Sequence, residues 1–423
     1  VSLILHLGIS LVVGIVLFIA GYFFFNGILN IPADRIFAAK VVYGSLIVST
    51  MFTVMTVPYD AAMNAHENMK YYAVVGILES FLKLAVAFAC VYTTFDKLIV
   101  YGSLMACIPL ITLTIMRIYC HRHYEECIIA PRIYWKKDLM KEMGTFAGWN
   151  FIGCTAGLLK DQGVNILLNL FIGPIINAAR GIANTVNNVL ASFSGNFMTA
   201  LNPQITKSYA AGNYDYMYSL VERGSRFSYY ILLLFALPML FETEFVLTLW
   251  LKHYPEHTVN FVRLILIVTM CDILSNTLIN LQVATGKIRN YQLTVGGMLL
   301  MNFPLSYICL RIGFQPESTM IVALAVAVAC LFLRLLFLHK MVGLSMRRYL
   351  HKVCGNVLCV TLVAAVLPGL LYLQMADGVM RFLLMCVLTV LCSATAIYFI
   401  GCSRNERDFI KSRIVLVRQK FSL

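Results

Sequence analysis

Long apolar runs follow one another along the whole chain, and each is close to the length that crosses a bilayer core. Transmembrane β-strands instead alternate apolar and polar residues over segments of about ten residues, a pattern that these runs do not show. The sequence therefore predicts an all-α integral membrane protein, a polytopic bundle of about twelve visible transmembrane helices. The runs lie at 2–29, 36–57, 71–94, 98–116, 145–170, 175–205, 227–243, 258–285, 291–310, 319–338, 353–374 and 382–401.

Short connectors that contain Pro, Gly or Asn separate many of these runs and predict turns between antiparallel helices. Examples are Asn30 to Pro32, Gly173-Pro174, Gly313 to Pro316 and Ala376 to Gly378. The run at 175–205 is interrupted by polar residues, so hydropathy alone supports it least.

Composition and charge agree with a membrane protein. Hydrophobic residues make up 60% of the chain and charged residues 13%, whereas soluble domains carry about 25% charged residues. Of the 33 Lys and Arg residues, 22 lie in alternate connectors and the C-terminal tail, and 5 lie in the opposite connectors. Basic loops face the cytoplasm, so both visible termini are predicted to be cytoplasmic. The net charge of +13 then needs no nucleic-acid partner.

The basic connector at 117–142 contains Cys120, His121, His123 and Cys127. This spacing differs from the usual paired Cys and His ligands of zinc, and no metal site is predicted. The tail from Arg404 alternates basic and apolar residues. Two interpretations of it stay open, an amphipathic helix on the inner leaflet and a solvated tail.

Ionisable residues inside the runs are costly in a membrane and usually face a bundle interior. Glu79 and Lys83 are four residues apart and can pair on one helix. Lys160 and Asp161 are adjacent, so they point in different directions and need other partners. Arg334 lies near a cytoplasmic helix end, and we expect it to extend toward water. Six basic residues lie in the runs, and acidic residues are fewer. The residues considered are Lys40, Lys83, Lys160, Arg180, Arg263, Arg334, Glu79, Asp161 and Asp272.

Polar residues recur at helical spacing in the fifth, sixth and eighth runs, so each run carries a polar stripe. One interpretation is hydrogen bonding and close packing between helices, including the small residues Gly153 and Gly157. The other is a hydrated cavity. The candidate substrate cavity comprises Lys83, Lys160, Asp161, Asn177, Arg180, Asn184, Asn188, Arg263, Asp272 and Asn276.

No catalytic motif is found in the sequence, so we do not expect an enzyme. No cofactor is expected either. Energy for transport would come from an ion gradient, with Na⁺ or H⁺ as the coupling ion, or from the substrate's own gradient.

Three segments resemble bacterial polysaccharide biosynthesis flippases of the multidrug/oligosaccharidyl-lipid/polysaccharide exporter superfamily. The most specific runs from Asn165 to Gly212 and contains Asn177-Ala178-Ala179-Arg180-Gly181 and Asn202-Pro203-Gln204-Ile205-Thr206-Lys207-Ser208-Tyr209. The others are Val57 to Met69 and Gln282 to Lys287. The segments occur in the family order, and the resemblance as a whole covers essentially the whole chain.

The resemblance implies about fourteen spans, arranged as two pseudo-symmetric lobes around a central cavity, plus a final helix pair. Since the chain starts at Val1 within a run, two further spans are expected before it. The implied divisions are 1–122 for the rest of the N-terminal lobe, 123–142 for a basic inter-lobe loop, 143–342 for the C-terminal lobe, 343–402 for the additional pair and 403–423 for a basic tail.

The implied function is alternating-access transfer of an undecaprenyl-diphosphate-linked oligosaccharide from the inner to the outer leaflet of the bacterial inner membrane. The expected partners are this lipid-linked glycan, membrane lipids and a polysaccharide polymerase complex. A cation antiporter of the multidrug and toxin extrusion type remains an alternative, although such sites favour acidic linings. A membrane polysaccharide polymerase is less favoured, because the longest outer connector, near 244–257, is short.

Overall fold

A computed structural model of the chain describes residues 2–23, 25, 36–127, 137–408 and 411–412. These residues are mostly α-helical and include no β-strand, which confirms the predicted all-α class. The middle of the basic inter-lobe loop, 128–136, lies outside the described residues, as does most of the predicted basic tail beyond Asp408. The turn predicted at Asn30 to Pro32 also lies outside them.

The helices follow the predicted runs in order and extend many of them by a few residues. Those of the first half are α1 Ser2–Phe23, α2 Ile36–Ala65, α3 Met69–Tyr92, α4 Lys97–His123, α5 Lys137–Phe171 and α6 Pro174–Ala210. Those of the second half are α7 Tyr214–Phe241, α8 Thr243–Leu251, α9 Thr258–Ala284, α10 Arg289–Leu300, α11 Asn302–Ile312, α12 Ser318–Val342, α13 Met346–Tyr349, α14 Asn356–Gln374 and α15 Val379–Ala396. Short π-helical segments, Leu350–Gly355 and Ile397–Gly401, precede α14 and follow α15.

Ten membrane-spanning segments in the described residues are long and apolar enough to cross a bilayer, with α10 and α11 forming one of them. The helices α5 and α6 have 35 and 37 residues, which is ample length, but they are not among those ten. They correspond to the fifth and sixth predicted runs, which carry polar stripes. Their polarity indicates that they are shielded from lipid if they cross the membrane.

Local sequence explains where several helices begin and end. The side chain of Asn68 accepts a hydrogen bond from the Tyr71 N–H at the start of α3, and Asp96 does the same for Leu98 at the start of α4. Side-chain oxygens of this kind satisfy the free N–H groups of a first helical turn. Two predicted turns use glycine in left-handed backbone conformations, with φ of 117° at Gly173 and 97° at Gly313, where other residues are strained.

The chain divides into two compact units, residues 1–147 and 148–423, and the boundary falls within α5. In the first unit α2 packs against α1 and α4, and α3 packs against α4. A small core of this unit surrounds Tyr59, Met63 and Met116. The lobes and the additional pair implied by the family resemblance stay a prediction.

The second unit is built around α9, which packs against α6, α7 and α12. In the most apolar stretches of α7 and α9, 61% and 56% of residues are buried, against 11% in each of α1 to α4. The final helices α14 and α15 pack on α7. This arrangement places α9 at the centre of the unit, with α6 and α12 beside it.

Candidate functional site

Two ion pairs extend from adjacent residues of α5 to two different helices. Lys160 Nζ lies 3.8 Å from Asp272 Oδ2 on α9, and Asp161 Oδ1 lies 3.9 Å from Arg180 Nη2 on α6. Adjacent helical side chains point about 100° apart, so each finds its own neighbour. The prediction that Lys160 and Asp161 need other partners is therefore confirmed.

Arg180 is held by more than its carboxylate partner. Its Nη1 donates to the main-chain oxygen of Asp161 at 3.0 Å and to Asn165 Oδ1 at 2.6 Å. Its Nε is buried and has no hydrogen-bond partner. Arg180 thus fastens α6 to α5 and keeps one donor unused.

Arg334, which was not among the predicted cavity residues, joins this group from α12. Its Nε donates to the hydroxyl of Tyr291 on α10 at 3.1 Å, and it interacts electrostatically with Asp272. The side chain is buried. The prediction that Arg334 extends toward water at a helix end is wrong, because a phenol hydroxyl and a carboxylate inside the bundle compensate its charge.

The five ionisable residues Lys160, Asp161, Arg180, Asp272 and Arg334 are called the charge cluster below. Its carboxylates are more open than two of its cations: 65% of the Asp161 side chain and 41% of that of Asp272 are exposed, against 5% for Arg180 and 11% for Lys160. Asp272 is half-buried and Asp161 is exposed. The two carboxylates are therefore more accessible to an approaching ion or molecule than Lys160 and Arg180.

The asparagines of α6 fall into two groups. Asn177 and Asn187 each have a buried side-chain oxygen without a hydrogen-bond partner. Asn184 is half-buried and Asn188 is exposed. Buried polar groups without partners are rare in native proteins and call for an explanation such as a bound molecule.

Other predicted stripe residues form hydrogen bonds between helices. Asn280 on α9 donates to Asn202 Oδ1 on α6 at 2.6 Å, and Gln292 on α10 donates to Asn150 Oδ1 on α5 at 3.4 Å. Asn276 is half-buried, and its main-chain oxygen accepts from Asn280. The interpretation of the stripes as hydrogen bonding between helices therefore applies to these residues, and the hydrated cavity stays a prediction.

Two further predicted site residues pair with other side chains. Arg263 donates to the main-chain oxygen of Leu240 at 3.1 Å and lies 3.6 Å from Glu244, so it contacts the junction of α7 and α8. Lys83 belongs to the first unit, where it pairs with Glu79 at 2.7 Å, as predicted. The role of Lys83 in a substrate cavity stays a prediction.

Acidic residues that the sequence analysis did not select are buried in ion pairs elsewhere in the second unit. Glu242 pairs with Arg381, and Glu406 pairs with Arg226, both at 2.8 Å. Arg381 lies in the first turn of α15, just before the last predicted run, which begins at residue 382. Glu222 and Arg226 are four residues apart on α7, but they pair with Arg348 and Glu406, so their spacing does not reveal their partners.

The candidate zinc ligands of the basic connector do not all gather around one point, although Cys120 and Cys127 interact with each other. Cys120 is buried and directs its Sγ toward the Tyr59 oxygen at 3.9 Å, while His123 stacks on Tyr119. Among the described residues, no group of three or more His, Cys, Asp or Glu could hold a metal ion. His66 instead pairs with Glu126 at 2.5 Å, and this hydrogen bond lowers the pKa of Glu126.

No protein-family model, no curated protein and no solved structure matches the chain. The resemblance to polysaccharide flippases accordingly stays a prediction based on the sequence motifs.

Proposed function

We propose that the chain belongs to a transporter that flips an undecaprenyl-diphosphate-linked oligosaccharide from the inner to the outer leaflet of the bacterial inner membrane. The observation that carries this proposal is the gathering of polar residues on α5, α6 and α9 in an otherwise apolar bundle. Asn177 and Asn187 offer buried amide oxygens without partners. Sugar hydroxyls can donate to such oxygens, and amide groups can also donate in return.

The cations of the charge cluster can compensate the negative charge of a diphosphate. It contains three cations against two carboxylates, and both Lys160–Asp272 and Arg180–Asp161 are long pairs, at 3.8 and 3.9 Å. Long pairs lack the short charge-assisted hydrogen bonds of strong ones. A phosphate that approaches the cluster can therefore replace a carboxylate as the partner of Lys160 or of the unused Arg180 Nε.

In this proposal, transport proceeds by alternating access and is coupled to an ion gradient. Asp161 and Asp272 are the open members of the charge cluster, so a proton or Na⁺ from the membrane gradient can reach them. Neutralising either carboxylate would free its cation for the diphosphate. The product would serve capsule, O-antigen or exopolysaccharide synthesis, with a polysaccharide polymerase as the expected partner.

A second candidate function has its own supporting observation. Because the more exposed side chains of the charge cluster include both carboxylates, the cluster offers negative oxygen atoms to an approaching molecule before it offers Lys160 or Arg180. This favours an organic cation as cargo, as in a multidrug and toxin extrusion antiporter. The two candidates differ in which residues bind the cargo, so the same variants distinguish them.

The deciding experiment is export in a flippase-null bacterial strain that expresses this chain and makes a defined lipid-linked glycan. Lys160→Gln and Arg180→Gln should each reduce surface glycan about tenfold or more, because a charged hydrogen bond contributes about 1.5–3 kcal/mol. Arg311→Gln, at an exposed site in α11, is the matched control. Folded protein is measured for each variant by size-exclusion chromatography.

Normal export by both charge variants would refute the assignment of the cluster to the diphosphate. The antiporter would be supported instead by two results together. The unmodified chain would expel a cationic dye but export no glycan, and the efflux would be lost in Asp161→Asn and Asp272→Asn.

A further inference from the structure

Three elements meet at one end of the second unit and join through ion pairs. Arg348 of α13 contacts both carboxylate oxygens of Glu222 on α7, at 2.5 and 3.1 Å. Glu406, in the helical turn after α15, forms ion pairs with Arg226 at 2.8 Å and with Arg223 at 3.3 Å. These contacts fix the start of α7, the α13 segment and residues 403–408 against one another.

In both sets of ion pairs the carboxylate is buried and one arginine is exposed. Glu222 and Glu406 are buried, whereas 44% of the Arg348 side chain and 50% of that of Arg223 are exposed. The surface therefore presents guanidinium groups even though each has an acidic partner. Asp408 is an exposed acid there, and it is outnumbered by further exposed basic residues, namely Arg347, Lys352 and Arg404.

The main-chain oxygens at the end of the last span do not offset this charge. Arg226 donates to the Gly401 oxygen at 2.6 Å, and Arg407 donates to the oxygens of Phe399 and Cys402 at 2.6 and 3.0 Å. Free carbonyl groups at a helix end would carry partial negative charge. Since arginines cover them, the surface stays positive up to the edge of the helix.

Exposed apolar side chains lie on the final helices, which pack on α7 next to these ion pairs. Phe399 is 62% exposed, and Leu358 and Leu362 of α14 are similarly exposed. Exposed apolar faces on spanning helices are the surfaces that contact acyl chains. A positive surface at the end of such a face has the charge and polarity pattern of a phospholipid, an anionic headgroup followed by hydrocarbon.

We propose that this surface, defined by Arg223, Arg348 and the neighbouring exposed face of α14 and α15, binds an anionic phospholipid. Its phosphodiester lies against the two guanidiniums, and its acyl chains follow the helix pair. Guanidinium forks suit phosphate because they donate two parallel N–H bonds to its oxygens. The buried glutamates orient the arginines in advance, which lowers the entropic cost of binding.

The test is native mass spectrometry of the purified full chain in detergent, titrated with phosphatidylglycerol and separately with phosphatidylcholine. The unmodified chain should retain phosphatidylglycerol in preference. The variant carries Arg223→Gln together with Glu222→Gln and Arg348→Gln, so that no buried glutamate loses its only partner. A basic residue near an anionic headgroup contributes about fivefold in affinity, so this variant should bind phosphatidylglycerol roughly twentyfold more weakly.

The matched control is Lys70→Gln with Lys287→Gln, which also removes two exposed cations and should leave binding unchanged. Thermal unfolding of each protein confirms that it is folded. Equal retention of phosphatidylglycerol by the triple variant would overturn the proposal, as would equal retention of phosphatidylcholine by the unmodified chain. Retention of undecaprenyl phosphate without phosphatidylglycerol would also overturn it, by assigning the surface to a transported lipid. None of these outcomes depends on whether the chain flips a glycan.

Discussion

Glu317, just before α12, depends on two hydrogen-bond donors from another part of the second unit. Its Oε1 accepts from His257 at 2.7 Å and from Asn260 at 2.9 Å, and its Oε2 is buried without a partner. Burial opposes ionisation of this carboxyl group, but the hydrogen bonds from Asn260 and His257 outweigh it and hold the pKa of Glu317 below its usual 4.5. The folded chain therefore favours the carboxylate.

The stability of the chain should consequently depend on pH through Glu317. Because its pKa is lower in the folded state, the stabilisation is fully present above the unfolded pKa of 4.5 and is lost as pH falls through the folded value. In detergent, the Tm of the unmodified chain should fall more steeply between about pH 5 and pH 3 than that of Glu317→Gln. Glu256→Gln, at a neighbouring exposed residue, should behave like the unmodified chain. Parallel curves for all three proteins would show that Glu317 does not contribute.

Single residues were predictable where the interaction is local and unpredictable where it is not. Glu79 and Lys83 share one helix face, so their spacing alone predicts their pairing. Lys160 and Asp272 are separated by 112 positions along the sequence, and their contact depends on how α5 packs against α9. Sequence could therefore show that Lys160 needs a partner but could not identify it.

At the scale of helices, α7 is joined to the last part of the chain at two positions. Near its middle, Arg226 pairs with Glu406. Just after its end, Glu242 accepts two hydrogen bonds from Arg381 of α15, at 2.8 and 3.0 Å. Arg381 also lies over the ring of Tyr372 of α14, 4.6 Å from its centroid. The final helices are thus fixed to α7, and we expect them to move with it.

Breaking the Glu242–Arg381 pair on one side should be costly. Glu242→Gln leaves a buried guanidinium that retains only the exposed Asp377 as a charged partner, and we expect about 3–5 kcal/mol of destabilisation. The double variant Glu242→Gln with Arg381→Gln removes the uncompensated charge and should recover at least half of that loss. Unfolding in detergent, monitored by Tm and by denaturant titration, measures both.

The control for this pair is Glu244→Gln, two residues further on. Glu244 is exposed and lies 3.6 Å from Arg263, and exposed pairs contribute about 1 kcal/mol or less. A double variant that is less stable than Glu242→Gln would contradict the proposed coupling between α7 and α15.

Helix positions were largely predictable, because apolar runs of spanning length leave few alternatives to helices. Helix packing was less predictable than helix position, as two glycines of α5 show. A Cβ at Gly153 would overlap the amide of Gln292, whereas Gly157 has nothing within 4 Å. Both were expected to permit close packing, but only Gly153 does, since spacing does not reveal which face meets a neighbour.

At the scale of the whole chain, the charge asymmetry divides the connectors into two sets. Within each unit, the observed ion pairs join parts of the chain that belong to the same set. On the predicted cytoplasmic side, Glu222 meets Arg348 and Arg226 meets Glu406 in the second unit, while His66 meets Glu126 in the first. On the opposite side, His257 meets Glu317 and Glu242 meets Arg381. Consecutive spans that run antiparallel produce this segregation, and it supports the predicted topology within each unit.

Reporter fusions test the direction of this topology. Because basic connectors remain in the cytoplasm, green fluorescent protein fused after Leu423 should fluoresce. Alkaline phosphatase inserted after the exposed Glu256 should be active, because that enzyme forms its disulfides only outside the cytoplasm. Alkaline phosphatase inserted after Lys287, in a basic connector, is the matched control and should be inactive. The reverse pattern would place Arg223 and Arg348 on the outer face. The proposed phospholipid would then be bound in the outer leaflet, and the direction of the proposed glycan transfer would lose its support.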